Sequence, residues 1–400
     1  MSGPLQGIRV LDMSRILAGP WAGQVFADFG ADVIKVESRA GDDTRRWGPP
    51  WVSDGGDAAY FTCANRGKRS ITVDFRTEEG QAIIKRLASR SDVLIENYKV
   101  GGLAKYGLDY ESLKTINPKL VYCSVTGFGQ TGPKAKQAGY DAMIQASGGL
   151  MSITGPSDDE SDAGPQKVGV AVADLMTGMY AVAAIQAALI ERVNSGEGQY
   201  IDLALLDTQV SWLANQSANY LVGGVVPKRE GTAHPNICPY QAIACADGYF
   251  MLAVGNDGQF ASLCQVLGRA DLAHHSSYTT NADRVAHRHE LIPLIESLTK
   301  QKTRDEWLTQ LSAVGVPVGP INTIDQVFDD EQLKHREMVI EQLRDDGETI
   351  RTVANPVKFS RSKLEYQMAP PVTGSSTNGV LSELGFSAEE IQRFKAKSVI

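Results

Sequence analysis

One aspartate in this chain stands in surroundings that suggest covalent chemistry. Asp174 lies alone among apolar neighbours, and the apolar residues after it recur at helical spacing until Gly196 and Gly198. The pattern predicts a helix over residues 175–192 with Asp174 at or just before its start. Backbone N–H groups and the helix dipole both favour a negative charge at that end. We therefore expect an ionised carboxylate in a dry pocket, which is the state that a nucleophile requires.

The same residue has a simpler interpretation. An aspartate at a helix start is commonly an N-cap, which stabilises the helix and does nothing else. Local sequence leaves both interpretations open. A catalytic carboxylate would have to lie beside residues that bind a substrate.

Cationic residues are concentrated in the N-terminal part of a chain whose net charge is −8. They are Arg15, Lys35, Arg39, Arg45, Arg46, Arg66, Lys68 and Arg69. Arginine forks suit phosphate or carboxylate oxygens, and lysine acts as a point charge. Surface solvation would explain any single one of them. As a group near predicted strand ends, they indicate an anionic, phosphate-bearing ligand.

Composition excludes several other classes of protein. The acidic charge argues against general nucleic-acid binding, and no apolar run reaches the length that spans a membrane. The N-terminus lacks the pattern of a signal peptide, and the five cysteines form no CxxC pair, so we expect a cytoplasmic protein without disulfides or zinc. The six histidines form no metal-ligand motif, and no GxSxG is present.

The first half of the chain alternates short apolar strands with amphipathic helices. This alternation predicts an α/β fold with parallel βαβ units, whose ligands bind beyond the carboxyl ends of the strands. A second long helix is expected through about residue 221, followed by a boundary at Gly223-Gly224. Residues 225–320 read as a smaller α+β domain with a hairpin at Asp247-Gly248. Ser387 and Glu390 form a capping box in the last helix, and the acidic segment 156–164 predicts an exposed mobile loop.

A glycine-rich stretch follows one of the predicted strands. Gly127-Phe128-Gly129-Gln130-Thr131-Gly132 matches GxGxxG. A dinucleotide fingerprint should open a helix, whereas Pro133 and a short glycine-bounded segment follow here. A mobile loop that exposes its backbone near a ligand fits better.

Taken together, these motifs resemble the class III CoA-transferase family. The matching stretches are Gly7-Ile8-Arg9-Val10-Leu11-Asp12, Ala18-Gly19-Pro20, Gly30-Ala31-Asp32-Val33-Ile34-Lys35-Val36-Glu37, Asn65-Arg66-Gly67-Lys68-Arg69-Ser70, Glu96-Asn97, the glycine stretch with Pro133, Gly139-Tyr140-Asp141, Ala173-Asp174-Leu175-Met176-Thr177-Gly178 and Gly315-Val316-Pro317-Val318-Gly319-Pro320. They span nearly the whole chain in order, which makes the set far more specific than any one stretch.

The resemblance implies a particular architecture. A large Rossmann-like domain would combine residues 1–224 and 321–400, with the small α+β domain, 225–320, between them. Two chains would form an interlocked, ring-like homodimer. No permanently bound cofactor is implied, since CoA and acyl-CoA are substrates of this family.

The resemblance also implies roles for individual residues. Asp174 would be the catalytic aspartate. Loops would hold CoA through Arg15, Ala18, Lys35, Arg39, Lys68, Asn97, Tyr98, Lys105, Tyr140 and Asp141. Asp174 would attack the donor thioester and carry first an anhydride and then a CoA thioester, before the acceptor carboxylic acid takes the CoA.

The acceptor pocket departs from part of the family. Some members carry a run of glycines before the small-domain hairpin, whereas residues 231–236 here read Gly-Thr-Ala-His-Pro-Asn. This stretch is closer to the members that use dicarboxylates such as succinate and glutarate. Arg15 or Arg46 could then pair with a second substrate carboxylate, and His234 and Tyr240 are further candidate substrate contacts.

Two alternatives remain at this point. An acyl-CoA racemase of the same fold would use a histidine where this chain has Tyr140, and a tyrosine with its ordinary pKa of about 10 is a poor base at neutral pH. A CoA-binding protein without catalytic activity is the other alternative. An assay of CoA exchange separates it from an enzyme.

Overall fold

The computed structural model describes residues 3–159 and 164–400, which divide into two compact units. The first comprises the described residues of Met1–Leu150, Val168–Ala218 and Glu331–Ile400, and the second those of Met151–Lys167 and Asn219–Asp330. We expected boundaries at 224 and 320, with no contribution from the segment before residue 168.

The segment that joins the second unit unexpectedly is held there through Arg229. Asp158 forms an ion pair with Arg229, donates its backbone N–H to the carbonyl of Arg229 and accepts the backbone N–H of Arg229 with its carboxylate, while the Arg229 guanidinium donates to the carbonyl of Pro156. Residues 160–163 of the predicted mobile loop lie outside the described residues.

The chain up to the second unit alternates strands and helices. In order they are β1 (Arg9–Asp12), α1 (Ala18–Asp28), β2 (Asp32–Glu37), α2 (Ala59–Thr62), β3 (Lys68–Thr72), α3 (Glu78–Ala88), β4 (Val93–Glu96), α4 (Tyr110–Lys114), β5 (Val121–Thr126), α5 (Asp141–Ser147), α6 (Val172–Ser195), β6 (Tyr200–Ala204), α7 (Leu205–Ser211) and α8 (Ala214–Gly223).

Six of these strands form one parallel sheet in the order β3-β2-β1-β4-β5-β6. The predicted parallel α/β architecture is confirmed. The chain reverses its direction of travel across the sheet between β1 and β4, which are neighbours with Leu11 opposite Leu94. Loops leaving these two strands diverge, and such a switch point opens a crevice at the carboxyl edge of the sheet.

Helix α6 packs on α1 and β5 in the first unit. Its buried face includes Ala173, Ala181 and Ile185, each with no exposed surface. Among the described residues it is the one helix long and apolar enough to cross a membrane by length and composition, which corrects our expectation that no segment reaches that length. Packing in the core accounts for the apolar residues of its buried face.

One predicted helix is divided in the structure. The expected second long helix is two helices, α7 and α8, because Ala214 has a φ of +49°, which a continuous right-handed helix does not contain.

The second unit contains β7 (Tyr240–Cys245), β8 (Gly248–Ala253), α9 (Asp257–Val266), α10 (Asn281–Ala286), α11 (Arg288–Thr299), α12 (Arg304–Ala313), β9 (Val318–Pro320) and α13 (Ile324–Asp329). Its three strands form an antiparallel sheet in the order β7-β8-β9. Cys245 pairs with Gly248, so the predicted hairpin at Asp247-Gly248 is confirmed.

The C-terminal part returns to the first unit. It contains α14 (Glu331–His335), β10 (Val339–Leu343), β11 (Thr349–Val353), α15 (Thr377–Glu383) and α16 (Ala388–Ala396). Arg66 pairs with Asp28 and donates to the carbonyl of Val353, which ties this part to α1. The capping box of Ser387 and Glu390 is confirmed at the start of α16.

Candidate active site

A cavity of about 710 Å³ opens in the first unit at the carboxyl edge of the parallel sheet. Its walls come from the loop after β1, the segment after β4, the end of β5 and the start of α6. Arg15, Ala18, Asn97, Tyr98, Tyr140 and Asp174 line it. The size suits a ligand as large as a nucleotide cofactor. These six predicted site residues are therefore brought together.

The loop after β1 is held in an unusual conformation at the cavity wall. Asn97 accepts the backbone N–H of Arg15 at 2.9 Å and donates its side-chain amide to the carbonyl of the same residue at 2.7 Å. Ile16 has a φ of +69°, and its N–H lies 3.3 Å from both carboxylate oxygens of Asp42. A β-branched residue rarely adopts such a φ, so these hydrogen bonds must hold the turn in place.

Lys35 and Lys68 lie beneath this loop, with exposed fractions of 0% and 1%. Lys35 Nζ donates to the carbonyl of Ser14 and to Asp42, each at 3.0 Å. Lys68 Nζ donates to Asp12 and to the carbonyl of Pro20, each at 2.8 Å. Both ammonium groups are thus paired and neither lysine lines the cavity, so the contact with CoA that the resemblance implied for them stays a prediction.

The remaining predicted cations lie away from the cavity lining. Arg39 and Lys105 are exposed, and Lys105 Nζ is 4.7 Å from the centre of the Tyr106 ring. Arg46 pairs with Asp43 at 3.2 Å. Sequence reasoning missed two exposed lysines that do line the cavity, Lys99 and Lys136. Lys99 follows Tyr98 directly, so its position after β4 was the available signal.

His234 and Tyr240, the other candidate substrate contacts, belong to the second unit. Their ring centres are 5.4 Å apart, and the backbone N–H of His234 donates to the carbonyl of Tyr240 at 2.9 Å. They form a local pair at the start of β7.

Asp174 is the third residue of α6, and it does not cap the helix as we expected. The cap comes from Asp141, whose Oδ1 accepts the backbone N–H of Ala173 at 2.8 Å and that of Asp174 at 3.4 Å. The Asp141 carboxylate thus fixes the start of α6, and its binding of CoA, which the family resemblance implied, stays a prediction. The two aspartates are far apart in sequence, so no local pattern could reveal this contact.

Burial and the nearby charge of Asp141 raise the pKa of the Asp174 carboxyl to about 7. We had expected the helix start to keep this group ionised. The difference arises because Asp141 occupies the free N–H groups, which leaves Asp174 desolvated beside a second negative charge.

A glycine one turn after Asp174 explains part of the surrounding motif. A Cβ added to Gly178 would lie 2.7 Å from the carbonyl oxygen of Ala18. Only a glycine therefore lets α1 approach α6 so closely. This approach places the N-terminus of α1, which has no side-chain cap, at the cavity wall beside Asp174.

An aromatic pair that sequence reasoning missed lies close to the two aspartates. Trp47 lines the cavity and meets Tyr60 edge to face, with ring centres 5.3 Å apart. Burial, together with the charges of Cys63, Asp174 and Asp141, raises the pKa of Tyr60 to about 12. The pair places apolar surface near Asp174, which helps to exclude water.

The glycine stretch, residues 127–132, forms a turn and opens no helix. This agrees with the prediction that the stretch is not a dinucleotide-binding fingerprint. Gly129 and Gly132 have φ values of +85° and +88°. A Cβ added to Gly127 would lie 2.5 Å from the Cα of Gly139, so the two backbone segments touch where they enter the cavity wall.

Comparison with known proteins identifies the family. The model of CoA-transferase family III matches residues 5–377. A succinate–glutarate CoA-transferase from Agrobacterium fabrum is 53% identical over 386 residues, covering 95% of this chain and 96% of the relative. A succinyl-CoA:glutarate CoA-transferase from Homo sapiens is 44% identical over 382 residues, covering 95% and 86%. The crystal structure of a CaiB/BaiF family protein from Brucella suis has 53% identity and a TM-score of 0.85, covering 96% of this chain and all of that one. The chain therefore belongs to CoA-transferase family III and is a CoA-transferase.

Proposed function

We propose that this CoA-transferase moves CoA from a dicarboxylic acyl-CoA, such as succinyl-CoA, to a free dicarboxylate, such as glutarate, with Asp174 as the covalent carrier. The observation that carries the proposal is the position of the Asp174 carboxylate. It lies on the wall of a cavity that opens at the switch point of the sheet and is rimmed by Arg15, Lys99 and Lys136.

The exchange proceeds through four acyl transfers. A carboxylate oxygen of Asp174 attacks the donor thioester carbon and the C–S bond breaks. CoA thiolate departs, and a mixed anhydride of Asp174 and the donor acid is formed. The thiolate attacks the aspartyl carbon and releases the donor as a free carboxylate. The acceptor carboxylate attacks the resulting aspartyl-CoA thioester, and the thiolate then attacks the acceptor carbon of the second anhydride, which frees Asp174. Each step keeps the energy of the thioester.

The proposal gives roles to the residues around Asp174. Lys99 and Lys136 supply positive charge for the phosphates of CoA. Backbone N–H groups at the uncapped start of α1 face developing oxyanions, and losing one such donor typically costs about 3 kcal/mol. Trp47 and Tyr60 keep water from the anhydride.

The names of the relatives support a dicarboxylate acceptor. The Agrobacterium fabrum and Homo sapiens relatives are both named for succinate or succinyl-CoA together with glutarate. A second carboxylate needs a cation near Asp174. We assign this role to Arg15, whose side chain is about half exposed and pairs with Asp43 only at 3.2 Å. His234 and Tyr240 remain proposed contacts from the second unit.

Substitution of the nucleophile tests the mechanism. We expect Asp174→Asn to abolish transfer from succinyl-CoA to glutarate, because an amide does not form the anhydride, while CoA binding stays within about twofold, a free-energy change well below 1 kcal/mol. Wild-type enzyme trapped with succinyl-CoA should show a CoA adduct on the peptide that contains Asp174, measured by mass spectrometry. Asp207→Asn, on the exposed surface of α7, is the control that should keep full activity. Equal loss of binding and transfer in Asp174→Asn would reduce Asp174 to a structural role.

A panel of acceptors tests the substrate class. We expect glutarate and succinate to be used far better than butyrate, because only a dicarboxylate engages Arg15. Arg15→Gln should raise the KM for glutarate at least about tenfold, as a charge-assisted hydrogen bond contributes about 1.5–3 kcal/mol. Lys105→Gln, which lies outside the cavity, is the matched control. Equal use of butyrate and glutarate by the wild type would contradict the assignment.

The raised pKa of Asp174 predicts a pH dependence. Only the ionised carboxylate attacks the thioester, so kcat/KM should fall as the pH decreases through about 7, the pKa of Asp174. Asp141→Asn keeps an oxygen for the Ala173 N–H but removes the neighbouring charge, and should therefore move this acid limb to lower pH. Initial rates measured across pH 5–9 in constant ionic strength check the shift. An unchanged profile would show that Asp141 does not influence the nucleophile.

The proposal includes a homodimer, as the family resemblance implies. The last turns of α6 expose Ile190 and Val193 at 70% and 83%, an arrangement that favours burial against another chain. Light scattering of the purified protein at micromolar concentration should give twice the chain mass of 43.2 kDa. A monomer at these protein concentrations would contradict the proposed homodimer but would leave the proposed transfer mechanism unaffected.

A further inference from the structure

The carboxylate of Glu96 is buried beside the cavity and takes no part in the proposed transfer. It ends β4 and has an exposed fraction of 5%. Its Oε2 accepts the backbone N–H of Tyr98 at 2.7 Å, and the Ser124 hydroxyl provides a second hydrogen bond. Across residues 3–159 and 164–400, none of the ion pairs includes Glu96, so its hydrogen bonds alone hold it.

The first hydrogen bond fixes one wall of the cavity. Tyr98 lines the cavity, and the guanidinium of Arg15 lies 5.5 Å from the centre of its ring. Asn97, between Glu96 and Tyr98, clasps the backbone of Arg15 through two hydrogen bonds. The position of Glu96 is thus transmitted to the wall after β4 and to the loop after β1.

The second hydrogen bond leads to the opposite wall. The Ser124 hydroxyl, on β5, accepts the side-chain amide of Gln130 at 2.9 Å. The backbone N–H of Gln130 donates to Asp202, on β6, at 3.0 Å. Gln130 belongs to the glycine stretch whose first residue, Gly127, lines the cavity. One carboxylate therefore connects walls that leave three different strands.

A separate small cavity of about 60 Å³ lies against Glu96, and its lining includes the side chains of Tyr110, Tyr122 and Tyr200. The rings of Tyr122 and Tyr200 are 5.7 Å apart. In this surrounding, burial raises the pKa of Glu96 to about 7, which is what a carboxyl without a cationic partner should show. Glu96 therefore contacts the surrounding residues through its shape and its hydrogen bonds rather than through its charge.

We propose that Glu96 is a positioning residue for acyl-CoA: it holds Tyr98 on one side and the glycine stretch, through Ser124 and Gln130, on the other, so that the CoA cavity is formed before the ligand arrives. This inference rests on the proposed binding of CoA in the cavity.

The test compares Glu96→Ala with Glu96→Gln in the full-length enzyme. Glu96→Ala should weaken CoA binding, measured by titration calorimetry, and raise the KM for acyl-CoA by about tenfold, equivalent to about 1.4 kcal/mol, while kcat at saturation changes by less than about threefold. Glu96→Gln keeps an acceptor for the Tyr98 N–H and should stay within about twofold of the wild type in both constants. A role in stability alone would lower the melting temperature and leave Kd and KM unchanged.

A matched control and a second variant keep the test decisive. Asp28→Asn alters a buried carboxylate remote from the cavity, paired with Arg66, and should lower the melting temperature without changing the Kd for CoA. Ser124→Ala cuts the link to Gln130 while leaving Glu96 in place, and should weaken CoA binding even if Glu96→Ala does not fold. The inference is overturned if both Glu96→Ala and Ser124→Ala bind CoA like the wild type, or if Glu96→Gln is as impaired as Glu96→Ala. Absence of CoA exchange, or of an adduct on Asp174, in the wild type would instead contradict the proposed function.

Discussion

The chemistry that we propose for this enzyme depends on two carboxylates that share the start of one helix. Asp141 accepts the free N–H groups of α6, and Asp174 is left partly buried beside it. If Asp174 itself capped the helix, those N–H groups would stabilise its charge, lower its pKa and weaken it as a nucleophile. Because Asp141 caps the helix and Asp174 does not, the pKa of Asp174 stays close to neutral pH. Enough of the group is then ionised to react, and the ionised form retains the reactivity of a poorly stabilised oxygen.

Buried charge also builds the walls around this pair, and it does so without touching the ligand. Lys35 and Lys68 are removed from water, an expensive step that only close partners compensate. Lys35 is paired with Asp42 and with the carbonyl of Ser14, and Lys68 with Asp12 and with the carbonyl of Pro20, so the two lysines bind both ends of the loop after β1. Burial lowers the pKa of Lys68 to about 8, although the charge of Asp12 opposes this shift. Lys35 and Lys68, which were predicted to contact an anionic ligand, therefore hold the loop that carries Arg15. The exposed Lys99 and Lys136 line the cavity.

The sequence predicted what depends on local patterns and missed what depends on distant contacts. The hairpin at Asp247-Gly248 and the capping box at Ser387 follow from turn and capping chemistry, and the structure has them where expected. The motif around Asp174 pointed to a residue that lines the cavity, but the cap by Asp141 joins residues 33 positions apart. The burial of Lys35 could not be foreseen either, because a lysine in a strand faces solvent or the core according to which loops cover the sheet.

Exclusion of water explains why the cavity walls are fixed by hydrogen bonds to backbone groups. An anhydride is destroyed by any water that reaches it, so the walls must be closed around the reacting atoms while still admitting two different acids. Apolar packing alone would let loops of this kind slide. Instead, Asn97 clasps Arg15, Asp42 holds Ile16 at a φ that its side chain disfavours, and Glu96 holds Tyr98. Each contact fixes a direction as well as a distance, so these loops become ordered when the protein folds. Substrate binding then does not have to supply the free energy of ordering them.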